Sequence, residues 1–195
     1  MTEGGSPPPC ARQPDPAGLP VEDLALTGVL PVGKVVTIRG EVPADEVEAG
    51  DIIIVLARAG YGPVQRVIET MVDLGRRPDA APVLVIEGAF DRFAPSRTTI
   101  LAPQCLIGFE DWLVPAAALV NGRSIRQLPA AGYVRYLQLE MGQHDMFVVD
   151  GLRIASLSRG TALCRPELTN RAELDRLRMR IVDRIPALEA SGLLP

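Results

Sequence analysis

Few side chains in this 195-residue chain can serve as a soft nucleophile or titrate near neutrality: three cysteines, Cys10, Cys105 and Cys164, and a single histidine, His144. A thiol attacks as its thiolate, so it needs a base or a positive neighbour. Imidazole is the side chain whose ordinary pKa makes it a proton carrier at neutral pH. Cys105 and His144 therefore form one candidate pair, that of a thiol hydrolase or thiol site. The plainer alternative is a buried cysteine beside Leu106 and Ile107 and a hydrogen-bonded structural histidine. Cys164 is expected to be structural. The cysteines are too few and too widely spaced for a zinc knuckle or a disulfide framework. Asp45, Glu46 and Glu48 cluster before Gly50 without matching a calcium-loop spacing, which leaves a solvated turn and no metal site. Gly60-Tyr61-Gly62 and Gly4-Gly5 lack the third glycine and the strand–loop–helix setting of a nucleotide fingerprint, so no cofactor is expected.

A net charge of −4 argues against a dedicated nucleic-acid binder, which needs a basic surface to neutralise phosphates. An apolar share of 47% suits a globular domain. Eighteen prolines and eighteen glycines favour many turns and short strands over long helices. Residues 1–20 carry no Lys/Arg start and no apolar stretch of a secretory signal, and nowhere do about eighteen apolar residues run uninterrupted. No membrane span is expected, and the odd cysteine count fits a reducing cytoplasm, with leaderless secretion as the other route.

The elements that must position these groups follow from pattern. Residues 1–20 read as a proline-rich disordered tail. Strands are expected at 35–38, 52–56, 64–71, 82–86, 97–101, 133–141 and 146–149, with 52–56 buried on both faces. Residues 105–107 and 112–114 form a hairpin across 108–111, and 115–120 holds a helical turn. Asp150-Gly151 supplies the φ > 0 residues of a tight turn. Trp112 is expected in the core. From 169 to 185 the period changes: Asn170 and Glu173 resemble a capping box, Leu174, Leu177, Ile181, Val182 and Ile185 make one apolar stripe, and Pro186 stops the helix. Arg176, Arg180 and Arg184 then line a solvated face.

Two stretches go further. Glu41-Val42-Pro43 leads through Gly50-Asp51 into the apolar run at 52–56. Much later, Leu113-Val114-Pro115 leads through Asn121-Gly122-Arg123-Ser124 to His144-Asp145, Asp150-Gly151 and Ser156. In this order and spacing the chain resembles the Hint (hedgehog/intein) family, specifically its bacterial single-domain branch, from about Thr27 to Ser156. The resemblance implies an all-β, curled, horseshoe-like domain of short strands at 21–160, with a C-terminal amphipathic helix in a helical appendage at 161–195.

It also implies a chemistry. Family members cut or rejoin their own chain: a leading cysteine attacks the carbonyl before it, while a Thr/Ser-x-x-His motif polarises that carbonyl and protonates the leaving amine. An amide is a poor electrophile, so nucleophile, acid and oxyanion donor are all required. Counting back from Glu41-Val42-Pro43, the leading cysteine falls at Gly28. The later motif falls on Ala102-Pro103-Gln104-Cys105, which keeps its proline but has lost hydroxyl and imidazole. The expectation is therefore a catalytically inactive Hint domain, a structural or interaction module whose partner is a protein or its own flanking chain. The alternatives are self-cleavage through a divergent nucleophile such as Thr27, and the Cys105/His144 thiol hydrolase.

Overall fold

Glycine, proline and Asn/Asp turns cut the chain into short β-forming runs. The computed structural model describes residues 24–58, 60–157 and 162–195, so the tail expected at 1–20 lies outside the described residues. The strands are β1 (Lys34–Thr37), β2 (Gly40–Pro43), β3 (Ile52–Val55), β4 (Gly60–Asp73), β5 (Val83–Val85), β6 (Thr99–Leu101), β7 (Leu106–Phe109), β8 (Trp112–Pro115), β9 (Ile125–Gln127), β10 (Tyr133–Met141), β11 (Met146–Val149) and β12 (Leu152–Ala155). Two helices follow, α1 (Arg171–Val182) and α2 (Ile185–Ala190).

Among the described residues one sheet runs β10-β4-β3-β1-β11-β12-β7-β8 with β2 attached to β1, and a second runs β6-β5-β9. β3 pairs with β4, β1 and β11, so the large sheet curls over itself and encloses one core. This is the curled all-β domain the sequence pointed to. β4 and β10 form a long antiparallel ribbon from Tyr133 opposite Asp73 to Met141 opposite Val64. Asp150 and Gly151, at φ 50° and 80°, make the tight turn between β11 and β12. The buried Asp150 carboxylate accepts from the Lys34 N–H at 3.0 Å and the Thr99 hydroxyl at 2.7 Å, tying that turn to β1 and β6.

Three local expectations are corrected. β3 alternates buried and half-buried residues instead of being enclosed on both faces, because only Ile53 and Val55 face the core. Trp112 is half-buried against the core rather than within it. β2 and β9 went unread: β2 contains Gly40 and Pro43 and pairs only with β1, while β9 has three residues.

The C-terminal appendage packs onto the β-domain. Asn170 Oδ1 accepts from the N–H groups of Ala172 and Glu173 and starts α1. Leu177 and Ile181 of α1 share the β-domain's core, each such burial stabilising by about 1.5–3 kcal/mol relative to exposure. Pro186 does not end the helical region; it sits in the first turn of α2, where its missing N–H has no helical partner to lose. Nor is the arginine series simply solvated. Arg180 pairs with Glu110 at 2.8 Å and Arg184 Nε donates to the Gly88 carbonyl at 2.8 Å, while Arg176 remains exposed. Among the described residues no helix is long and apolar enough to cross a membrane.

Candidate functional site

Residues 24–29 cross a cleft between β10 and the turn after β6. The Val29 N–H and carbonyl both pair with Leu137 of β10 at 2.9 Å. On the other side, the Gln104 N–H donates to the Leu26 carbonyl at 2.7 Å and the Ala102 N–H to the Gly28 carbonyl at 3.0 Å. A polar side chain in the middle of β10 completes the grip. Gln138 is buried, and its Nε2 donates to the carbonyls of both Leu24, at 2.8 Å, and Thr27, at 2.7 Å. Gln138 was not singled out from sequence. The available signal was an amide flanked by Leu137 and Leu139, since a polar group buried between apolar neighbours must find a partner.

Gly28 has φ +106°, a region L side chains rarely adopt. A Cβ built on it would lie 2.6 Å from the Leu137 carbonyl oxygen and 2.9 Å from Gln138 Nε2. The first of these is backbone in a paired strand and cannot step aside cheaply. Thr27, next door, has a buried hydroxyl with no hydrogen-bond partner.

The turn Ala102-Pro103-Gln104-Cys105 closes with the Cys105 N–H donating to the Ala102 carbonyl at 3.0 Å. Ala102 is fully buried. The Cys105 thiol is enclosed, and burial pushes its pKa up to about 12, while a hydrogen bond from the Gly28 N–H works weakly the other way.

His144 enters from the turn between β10 and β11. Its Nδ1 accepts from the Cys164 N–H at 3.1 Å. A ring nitrogen that accepts carries no proton, so the neutral ring holds its hydrogen on Nε2. Burial lowers the His144 pKa, with the Asp145 carboxylate opposing. Asp145 is itself fixed by the Ala57 N–H at 2.9 Å, Arg58 Nε at 2.7 Å and the Met146 N–H at 2.8 Å.

Thr27, Gly28, Cys105 and His144, drawn from remote parts of the sequence, line one cavity of about 360 Å³ together with Gln104 and Gln138. Ala102 lies behind it, reaching the site through its backbone N–H. Of the acidic cluster, Asp45 pairs with Arg135 at 3.0 Å on the surface. Among the described residues no group of three or more His, Cys, Asp or Glu side chains converges to hold a metal ion.

A family model described as the Hint domain matches residues 30–161, more than half of the chain. No curated protein matches the chain. Among solved structures, the gp41-1 intein is 11% identical, with 65% of this chain and 96% of that chain covered at a TM-score of 0.47. A DnaB intein from Synechocystis sp. PCC 6803 is 12% identical, with 66% of this chain and 97% of that chain covered at a TM-score of 0.46.

Proposed function

The chain belongs to the Hint domain family, and we propose that its module has lost self-processing and serves as a structural or interaction scaffold, its N-terminal segment kept threaded and uncut through the cleft. The observation that carries this reading is Gly28. At the position where the family places its nucleophile there is no side chain, and the backbone leaves no room for one. Conversion to thioester at the Thr27–Gly28 bond has a donor to the Thr27 carbonyl in Gln138 Nε2, at 2.7 Å, but would also need the family's hydroxyl and an acid for the leaving amine. Ala102 offers no hydroxyl and Cys105 no imidazole. What remains holds rather than cuts: Gln138, Gln104 and Ala102 make backbone hydrogen bonds to residues 24–28 and keep the flanking chain in place. A protein partner, or that flanking chain itself, is what such a module would present or join.

One geometric fact favours a second reading. Cys105 lines the same cavity as Thr27 and Gly28, and the Thr27 carbonyl accepts from Gln138 Nε2 at 2.7 Å. In that reading Sγ adds to the Thr27 carbonyl carbon, the C–N bond breaks, the thiol proton passes to the Gly28 nitrogen, and a thioester joins Thr27 to Cys105. The obstacle is supply of thiolate. A thiol held at about 12 is ionised in only about one molecule in 10⁵ at pH 7. The same deficit weighs against a Cys105/His144 hydrolase, since burial dominates the thiol and His144 is engaged at Nδ1 by the Cys164 N–H.

The deciding experiment is intact-mass measurement of the purified chain, incubated with and without dithiothreitol or hydroxylamine between pH 6 and 9. The expected result is one unchanged mass throughout. A species starting at Gly28, or its hydroxamate counterpart ending at Thr27, would overturn the inactive reading, and its loss in Cys105→Ser would identify the nucleophile.

A further inference from the structure

We infer that the cavity beside the threaded segment is a binding site for a small, uncharged, predominantly aliphatic molecule, an inference that rests on the site being chemically silent. The volume of about 360 Å³ falls in the range of pockets that enclose small organic ligands. Its walls are built by Leu106, Leu137, Leu139, Phe147, Ile154 and Leu157, contributed by β7, β10, β11, β12 and the segment after β12. Of these, Leu137, Leu139, Phe147 and Ile154 belong to the hydrophobic core and need no rearrangement to present an apolar surface.

Charge decides the ligand class. Among the described residues no lysine or arginine lines the cavity, and Glu167 stands in its wall. His144 is held toward its neutral form by burial. Among the described residues an anion would therefore meet a carboxylate and no cation, inside walls that cannot replace its hydration. A cation would meet one carboxylate and the same apolar walls. A neutral aliphatic body with a single modest acceptor suits the lining, in which the Gln104 and Ser156 side chains are polar positions.

The test uses the full chain and two probes of equal length and opposite character, 2-octanone and octanoate, each titrated by calorimetry and followed by the maleimide-labelling rate of Cys105. The expected result is saturable binding of the ketone, at least about tenfold tighter than octanoate, with Cys105 labelling slowed in proportion to occupancy. Ala155→Phe, which places a ring in the cavity wall, should abolish both effects. If that variant does not fold, protection of Cys105 in the unaltered chain still decides the matter. Absence of saturable ketone binding, equal affinity for both probes, or binding that leaves Cys105 labelling unchanged would each overturn the inference. Intact mass recorded on the same samples reads cleavage separately, so failure of ligand binding is distinguishable from failure of the inactive reading.

Discussion

Replacing Gly28 with alanine tests the argument at its centre. Two costs are separable. The first is backbone: at φ +106° an L residue costs roughly 1–2 kcal/mol. The second is contact: a Cβ only 2.6 Å from the Leu137 carbonyl oxygen must push apart the pairing of Val29 with β10, and such overpacking costs typically about 1–3 kcal/mol. The sum is about 2–5 kcal/mol, a large share of the roughly 5–15 kcal/mol that holds a typical domain together. The natural control is Gly40→Ala. Gly40 has nearly the same φ, +102°, but nothing lies within 4 Å of its built Cβ, so it carries the backbone cost alone. With a urea slope of about 2 kcal/mol/M for both variants, Gly28→Ala should lower the urea midpoint by about 1–2.5 M, and Gly40→Ala by about 0.5–1 M. Far-UV circular dichroism reads both, with an unchanged slope as the check that unfolding stays two-state. If the two variants lose the same stability, the cleft has room for a side chain at 28, and the structural case against a restored nucleophile collapses. The same reasoning says that Gly28→Cys brings destabilisation before it brings chemistry, even with Ala102→Ser and Cys105→His alongside.

Two further outcomes follow from groups in the same cleft. Thr27→Val removes a buried hydroxyl that has no partner and keeps the side chain's shape, so stability should rise by about 1 kcal/mol, or roughly 2–4 °C in Tm for a chain of this size; an unchanged or lower Tm would mean the hydroxyl is satisfied after all. His144 has its pKa lowered by burial from the ordinary 6.5, so the folded state favours the neutral ring. Its contribution is fully present above pH 6.5 and is lost as pH falls below that value toward the folded pKa. Protonation also removes the acceptor that holds the Cys164 N–H. Between pH 7 and 5 the unaltered chain should therefore lose more Tm than His144→Asn, whose side chain does not titrate; parallel curves would show that His144 is not depressed.

The order of short motifs, the turn residues at Asp150-Gly151 and the 3.6-residue period after Asn170 are local properties, and they were enough to read a curled β-domain with a helical appendage. Where the reading slipped, tertiary context overrode local pattern. β3 looked uniformly apolar but packs one face, and Pro186, a stop signal in isolation, fits the start of α2 once the chain turns at 183–184. Arg184 looked like solvent-facing charge, until the Gly88 carbonyl came within reach, whereas Arg180 stays exposed in a surface ion pair with Glu110.

For the site, the sequence alone states that residue 28 is glycine, residue 102 alanine and residue 105 cysteine; that these are the positions of a nucleophile, a hydroxyl and an imidazole is what the family resemblance implies. What folding alone decided is what stands in their place. Gln138 lies 111 positions from Thr27 along the chain yet holds its carbonyl at 2.7 Å. The φ of Gly28, the enclosure that raises the Cys105 pKa, the stranded Thr27 hydroxyl and the cavity they border all arise from packing between distant segments. Identity of side chains is written residue by residue, whereas proximity, burial and dielectric surroundings exist only once remote strands have closed around one another.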